Sequence, residues 1–136
     1  MGEETTKVDL RRLAMALGIK RVRVVDPYDL KRTTDALKRE AAMPGPSLII
    51  TNRPCILMEK FDKSKIHFVN KDACQACGMC LRLGCPSISP SEEIPSKGKV
   101  RRFKVSIDPS TCRGCTLCKQ VCRYGAIYSS FEDGGN

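Results

Sequence analysis

Eight cysteines fall in two runs: Cys74, Cys77, Cys80 and Cys85, then Cys112, Cys115, Cys118 and Cys122. In each run three thiols recur at every third residue and a fourth trails behind, followed by Pro86 in the first run and Arg123 in the second. Thiolates are soft ligands, and three of them on one short loop can reach three irons of one cubane. Zinc sites more often pair one C-x2-C with a distant second one. Disulfides would need an oxidising compartment, and the first residues do not resemble a secretory leader. The spacing, met twice, predicts two [4Fe–4S] clusters with all eight cysteines as metal ligands.

The second run fits C-x2-C-x2-C-x3-C, in which the fourth cysteine serves the other cluster, although Arg123 stands where proline is usual. The first run carries one extra residue before Cys85 and keeps Pro86. By analogy with bacterial two-cluster ferredoxins, Cys74, Cys77, Cys80 and Cys122 are expected to hold cluster I. Cys112, Cys115, Cys118 and Cys85 are expected to hold cluster II. The surrounding chain repeats as well. Ile66–Val69 precedes the first run and Phe103–Ile107 the second, and each run leads towards a strand start at Ile88 or Ile127, residues expected to shield the clusters. Gly78 and Gly114 sit inside the loops, where backbone N–H groups must turn towards sulfur. No residue is assigned a catalytic role.

The elements before the cysteines have another character. Leu10, Leu13, Ala14 and Leu17 follow helical spacing with Gly18 behind them, and Arg21–Asp26 reads as a short strand. Asp29–Ala42 reads as a second helix with Leu30, Leu37 and Ala41 on one side, stopped by Pro44, Gly45 and Pro46. Ser47–Thr51 is a second strand. The last three elements make a βαβ unit with parallel strands, right-handed by rule. Two parallel strands do not stand alone, since such strands are normally buried on both faces of a larger sheet. This part is therefore expected to dock on a sheet supplied from elsewhere. The expected class is α+β: a partial α/β segment over 1–60 and a two-cluster, ferredoxin-like domain over 61–136.

The remaining features read quietly. Cys55, the ninth cysteine, is expected to act as a small apolar residue at a strand end, with a redox or ligand role as the sharper option. His67, the only histidine, lies outside the loops and receives no role. Lys97–Lys104 holds five basic residues in eight, either a solvated hairpin or a dock for an acidic electron carrier. The tail Phe131–Asn136 is expected to fray.

Composition sets bounds. Of 136 residues 41% are hydrophobic, Trp is absent, and only seven are Tyr or Phe (Tyr 3, Phe 4), so any core is aliphatic and modest. No apolar run approaches the roughly 18 residues of a membrane span. The protein is expected to be cytoplasmic, where thiols stay reduced. The formal charge of +9 falls to about +5 once each cluster with its four thiolates adds about two negative charges. With few aromatics to stack on bases and no recognised motif, nucleic acid is not the expected partner.

The combination resembles the C-terminal part of the α subunit of indolepyruvate:ferredoxin oxidoreductases, thiamine-diphosphate enzymes of the 2-oxoacid:ferredoxin oxidoreductase family. The resemblance rests on Val22–Leu30, on Gly45–Ile50 with Arg53, Pro54 and Cys55, on Cys74–Pro86 with its longer spacing, and on Cys112–Cys122. It implies that residues 1–60 close a thiamine-diphosphate domain and that the two clusters carry electrons to external ferredoxin. The family's Gly-Asp-Gly stretch with its magnesium-binding Asn is absent from these residues. Thiamine diphosphate would therefore sit on a partner chain, the catalytic subunit, or on a longer chain of which this is a piece. The alternatives are a free-standing ferredoxin-like carrier that docks other oxidoreductases, and an interaction module with structural clusters.

Overall fold

The structure is a computed structural model that describes residues 6–58, 60, 62–95 and 101–129. Packing divides the chain into two compact units, Met1–Arg53 and Pro54–Asn136, a few residues before the change of composition at residue 60.

In the first unit Asp9 caps helix α1 (Leu10–Ala16) by accepting the Arg12 N–H at 3.0 Å. Strand β1 (Arg21–Val25) leads to helix α2 (Leu30–Ala41), capped the same way by Asp29, and then to strand β2 (Ser47–Thr51). The strands pair in parallel from Arg21 opposite Ser47 to Val25 opposite Thr51. Among the described residues of this unit only Ala14 and Glu40 are buried. The leucines expected to form inner faces are in the open: Leu10, Leu13 and Leu17 on α1, and Leu37 on α2, are about half exposed or more, and Ala41 is exposed.

Charge holds α2 to the strands instead. Alternate residues of a strand share a face, so Arg21 and Arg23 both reach Glu40, with Nε to carboxylate distances of 3.1 and 2.9 Å. Arg21 also donates to the carbonyls of Pro44 (2.7 Å) and Gly45 (2.8 Å), fixing the turn that ends α2. Arg23, and then Arg21, hold the Glu40 carboxyl below the usual glutamate range against the opposing effect of desolvation. A depressed carboxylate pKa stabilises the fold above the ordinary value, and the benefit is lost as pH falls through the lowered one. Amide protection factors at Val22–Val25, taken relative to the intrinsic exchange rate at each pH, should therefore fall on acidification through that window. In Glu40→Gln the protection factors should already be low at neutral pH and change little as pH falls.

In the second unit β3 (His67–Val69) and β4 (Ile88–Ile94) flank the first cysteine run, while β5 (Arg102–Ile107) and β6 (Ile127–Ser129) flank the second. Pairing exchanges them: β3 runs antiparallel to β6, and β4 antiparallel to β5. A bulge between Pro90 and Glu93 accommodates a residue that cannot donate to the ladder. The core is aliphatic: Ile66, Ile88, Val105, Ile107 and Ile127 pack with Cys80, Cys112 and Cys118. Ile88 and Ile127 are thus buried as expected. Phe68 and Tyr128, opposite one another across β3 and β6, add a tilted ring pair at 6.0 Å.

Part of the basic stretch, residues 97–100, and the tail lie outside the described residues. The rest is engaged. Arg101 forks onto Glu93 at 2.8 and 2.5 Å, and Lys104 reaches Glu92 at 3.8 Å. Antiparallel register supplies these carboxylates, so Arg101 and Lys104 are not a bare dock for an acidic carrier. Cys55 is exposed, not packed as a small apolar residue, and opens a turn in which its carbonyl accepts the Met58 N–H at 2.8 Å. His67 is buried in β3.

Candidate metal centres

The two cysteine loops are held by the same backbone device. Asn70 N–H donates to the Ala126 carbonyl and Asp108 N–H to the Ser87 carbonyl, each at 2.8 Å. Each of these residues then accepts, at its own carbonyl, the N–H of the first cysteine: Cys74 on Asn70 and Cys112 on Asp108, both at 3.1 Å. Their side chains stiffen the turn, Asn70 Oδ1 accepting Asp72 N–H and Asp108 Oδ1 accepting Ser110 N–H, each at 2.9 Å. Because β6 follows Cys122 and pairs with β3, Cys122 is delivered to the loop at Cys74. Because β4 follows Cys85 and pairs with β5, Cys85 is delivered to the loop at Cys112.

The side chains follow. Cys74, Cys77, Cys80 and Cys122 line one recess, with Val69, Val105, Ala126 and Ile127 as its apolar wall and Tyr124 at its edge. Burial pushes the Cys80 thiol up, and the neighbouring Cys74, Cys77 and Cys122 push it further. Burial likewise drives Cys118 up to about 12, with Cys115, Cys112 and Cys85 adding to it. The structure thus brings together two sets of four thiols, and each contains one cysteine from the other run. Among the described residues no three His, Cys, Asp or Glu groups converge closely enough to hold one ion.

The donor sets fit a cubane chemically. Burial and neighbouring thiols disfavour the thiolates of Cys80 and Cys118, and cationic irons would relieve both the burial cost and the repulsion there. Of the eight, Cys80, Cys112 and Cys118 are buried, Cys74, Cys85, Cys115 and Cys122 half-buried, and Cys77 exposed.

Each loop winds through two left-handed residues at matching places. In the first they are Ala76 (φ 48°) and Gly78 (φ 72°), and in the second Gly114 (φ 70°) and Thr116 (φ 66°). Gly78 and Gly114 are therefore not equivalent: each loop has glycine at one of its two left-handed positions. Gly114 has a further reason. A Cβ there would stand 2.5 Å from the Lys65 Cβ and 2.6 Å from the Lys65 carbonyl oxygen, while at Gly78 nothing lies within 4 Å.

Sequence reasoning missed Arg102. Its guanidinium donates to the carbonyl of Gln75 at 2.5 Å and reaches that of Ala76 at 3.5 Å, bracing the first loop between Cys74 and Cys77. Only the folded register brings β5 to that loop, and no local signal announces it. Arg102→Met should cost about 1–2 kcal/mol, read as a lower denaturant midpoint of the second unit. Arg101→Met, which loses an exposed pair, should cost less.

Comparison with known proteins follows this geometry. A family model for a 4Fe-4S binding domain matches residues 105–128, from within β5 to within β6. Indolepyruvate oxidoreductase subunit IorA of Methanothermobacter thermautotrophicus is 31% identical over 128 residues, covering 93% of this chain and 19% of that protein. IorA of Pyrococcus horikoshii is 33% identical over 128 residues, 89% of this chain and 18% of that protein. IorA of Archaeoglobus fulgidus is 28% identical over 131 residues, with 93% and 19% covered. The chain spans about one fifth of the length of these relatives. It carries a 4Fe-4S binding domain and is similar, over some nine tenths of its length, to the C-terminal, ferredoxin-like part of the IorA subunits.

Proposed function

We propose that this chain is the electron-transfer part of an indolepyruvate:ferredoxin oxidoreductase. In this reading Cys74, Cys77, Cys80 and Cys122 hold cluster I, and Cys112, Cys115, Cys118 and Cys85 hold cluster II. Each [4Fe–4S] cluster, when bound, supplies a one-electron store whose potential responds to hydrogen bonding, burial and charge. The chain's own contribution is to hold eight thiols at two fixed places, exclude water with aliphatic side chains, and brace the first loop with Arg102. Oxidation of the aryl 2-oxoacid belongs to a thiamine-diphosphate partner chain, and the electrons leave to an external ferredoxin in the cytoplasm.

The observation that carries this reading is the interchange of Cys122 and Cys85 between the two thiol sets, joined to the similarity to IorA. A second observation favours a subunit over a free carrier. Residues 1–60, read as the closing segment of a thiamine-diphosphate domain, hold a two-stranded parallel sheet whose flanking leucines face outward. Such a surface is completed by another protein layer. Among the described residues no helix is long and apolar enough to cross a membrane.

Anaerobic purification from native extract tests the proposal, with the eluate assayed for iron, sulfide, thiamine diphosphate and indolepyruvate-dependent dye reduction. Co-purification of a larger thiamine-containing partner with that activity is expected. A lone iron–sulfur protein without thiamine or activity would overturn the subunit reading in favour of the carrier.

A further inference from the structure

Arg102 brings its charge to the first cysteine loop and keeps it unneutralised. Its guanidinium donates to the Gln75 carbonyl at 2.5 Å and reaches that of Ala76 at 3.5 Å. Among the described residues no carboxylate pairs with it, whereas Arg101 and Lys104 beside it are taken by Glu93 and Glu92. The peptide bonds here are trans, so a carbonyl that faces Arg102 sets the N–H of the same peptide group facing away from it. Those N–H groups belong to Ala76 and Cys77. Ala76 is 5% exposed, and among the described residues its N–H meets no acceptor. Buried donors are rarely left unpaired. Gln75, Ala76 and Cys77 also line the recess that gathers the thiols of Cys74, Cys77, Cys80 and Cys122. An arginine that donates to the carbonyl of a peptide group polarises it and strengthens the donor at its other end. The second loop is built otherwise. Standing as far ahead of Cys74 as Arg102 stands ahead of Cys112 is Ser64, uncharged, with its hydroxyl bonded to Asp62. That loop carries a cation of its own, Arg113, where the first has Gln75.

We infer that Arg102 is a positioning residue that raises the reduction potential of cluster I and leaves that of cluster II unmoved. The inference rests on the crossed ligation and the electron-transfer reading proposed above. Reduction places one more electron, and so one more negative charge, among four thiolates, and no bond or proton moves. A fixed cation behind the loop, with peptide donors aimed at sulfur, favours the more negative state. Arg102 is exposed, so salt weakens its field.

An EPR-monitored titration with dithionite tests this on the anaerobically purified native complex carrying Arg102→Met, Arg102→Gln or Arg102→Lys, with Arg101→Met as the control. Signals are assigned by Cys122→Ala, expected to lose cluster I, and Cys85→Ala, expected to lose cluster II. In Arg102→Met the cluster I midpoint should move to more negative potential at low ionic strength. The reduction equilibrium should change about tenfold, which is about 59 mV for one electron. Arg102→Lys, which keeps the charge, should recover part of that shift, while cluster II and the control match the parent. If Arg102→Met fails to hold cluster I, Arg102→Gln, neutral but still a donor, is read with the same expectation. A cluster I midpoint that stays put, with its signal intact, would overturn the tuning role and leave the electron-transfer reading standing. A rise would overturn it too, because a loosened loop admits water, which favours the more charged state. Equal shifts at both clusters would count against it in the same way, since Arg102 is placed to act on one loop. Absence of reducible clusters in the parent protein would remove both readings together.

Discussion

Replacing Cys122 by alanine should empty the cluster whose other ligands are Cys74, Cys77 and Cys80, and spare the one whose loop Cys122 follows in sequence. The reason is the strand exchange. Cys122 ends α3 (Leu117–Val121), yet β6 beyond it is paired to β3, which leads into Cys74. Its thiol accordingly belongs to the electrostatic surroundings of Cys80, and Cys85 to those of Cys118. Iron and sulfide per chain should fall by about half in Cys122→Ala, with one EPR signal kept, because a cubane deprived of a thiolate is the one lost. Cys85→Ala should lose the other signal. Paired substitutions make the test sharp. Cys122→Ala with Cys74→Ala should cost no more iron than either alone, whereas Cys122→Ala with Cys112→Ala should abolish both clusters. If the second pair kept one cluster, the ligation would be uncrossed. Because metal binding adds to folding free energy, the single variants should also unfold at lower denaturant than the parent.

The second large effect is expected at Gly114. Alanine there meets two separate penalties. The left-handed backbone, at φ 70°, costs about 1–2 kcal/mol for a residue with a side chain. The new methyl must also displace Lys65, whose Cβ and carbonyl stand 2.5 and 2.6 Å away, and overpacking against backbone costs a further 1–3 kcal/mol or so. Gly114→Ala should therefore destabilise the second unit by about 2–5 kcal/mol. Gly78→Ala is the internal comparison, having the same backbone conformation with open space around it. It should pay the first penalty alone, about 1–2 kcal/mol. Denaturant midpoints of the two variants, measured on iron-loaded protein, would give the cost of the Lys65 approach by difference. Equal midpoints would mean that the Lys65 segment moves aside freely.

The cysteine runs were legible because ligand spacing is local: three thiols within seven residues define a loop whatever surrounds it. The duplicated strands were legible as the segments that flank each run, but their exchange, β3 with β6 and β4 with β5, is a finding of the structure. Ser47–Thr51 and Arg21–Val25 were legible as strands for the same local reason. What escaped was set by distant partners. Glu40 reads as a solvent residue of α2, and only the approach of Arg21 and Arg23 makes burial tolerable. With that charge holding the helix, Leu37 is left outside, contrary to the amphipathic reading. Gly78 and Gly114 looked alike until the backbone placed Ala76 opposite Gly114 and Thr116 opposite Gly78. Arg102 has no local signal at all.

The strand exchange also bears on how the protein is made. On the crossed ligation proposed above, translation delivers Cys74, Cys77 and Cys80 first, and their fourth companion only after everything from Leu81 to Val121 has been added. At roughly 5–20 residues per second, the incomplete thiol trio waits a few seconds on the ribosome. During that interval it is a three-point ligand set open to any soft metal ion. In that interval β6, the partner of β3, has yet to be made, so the order of synthesis leaves the first loop waiting the longer for its partner strand.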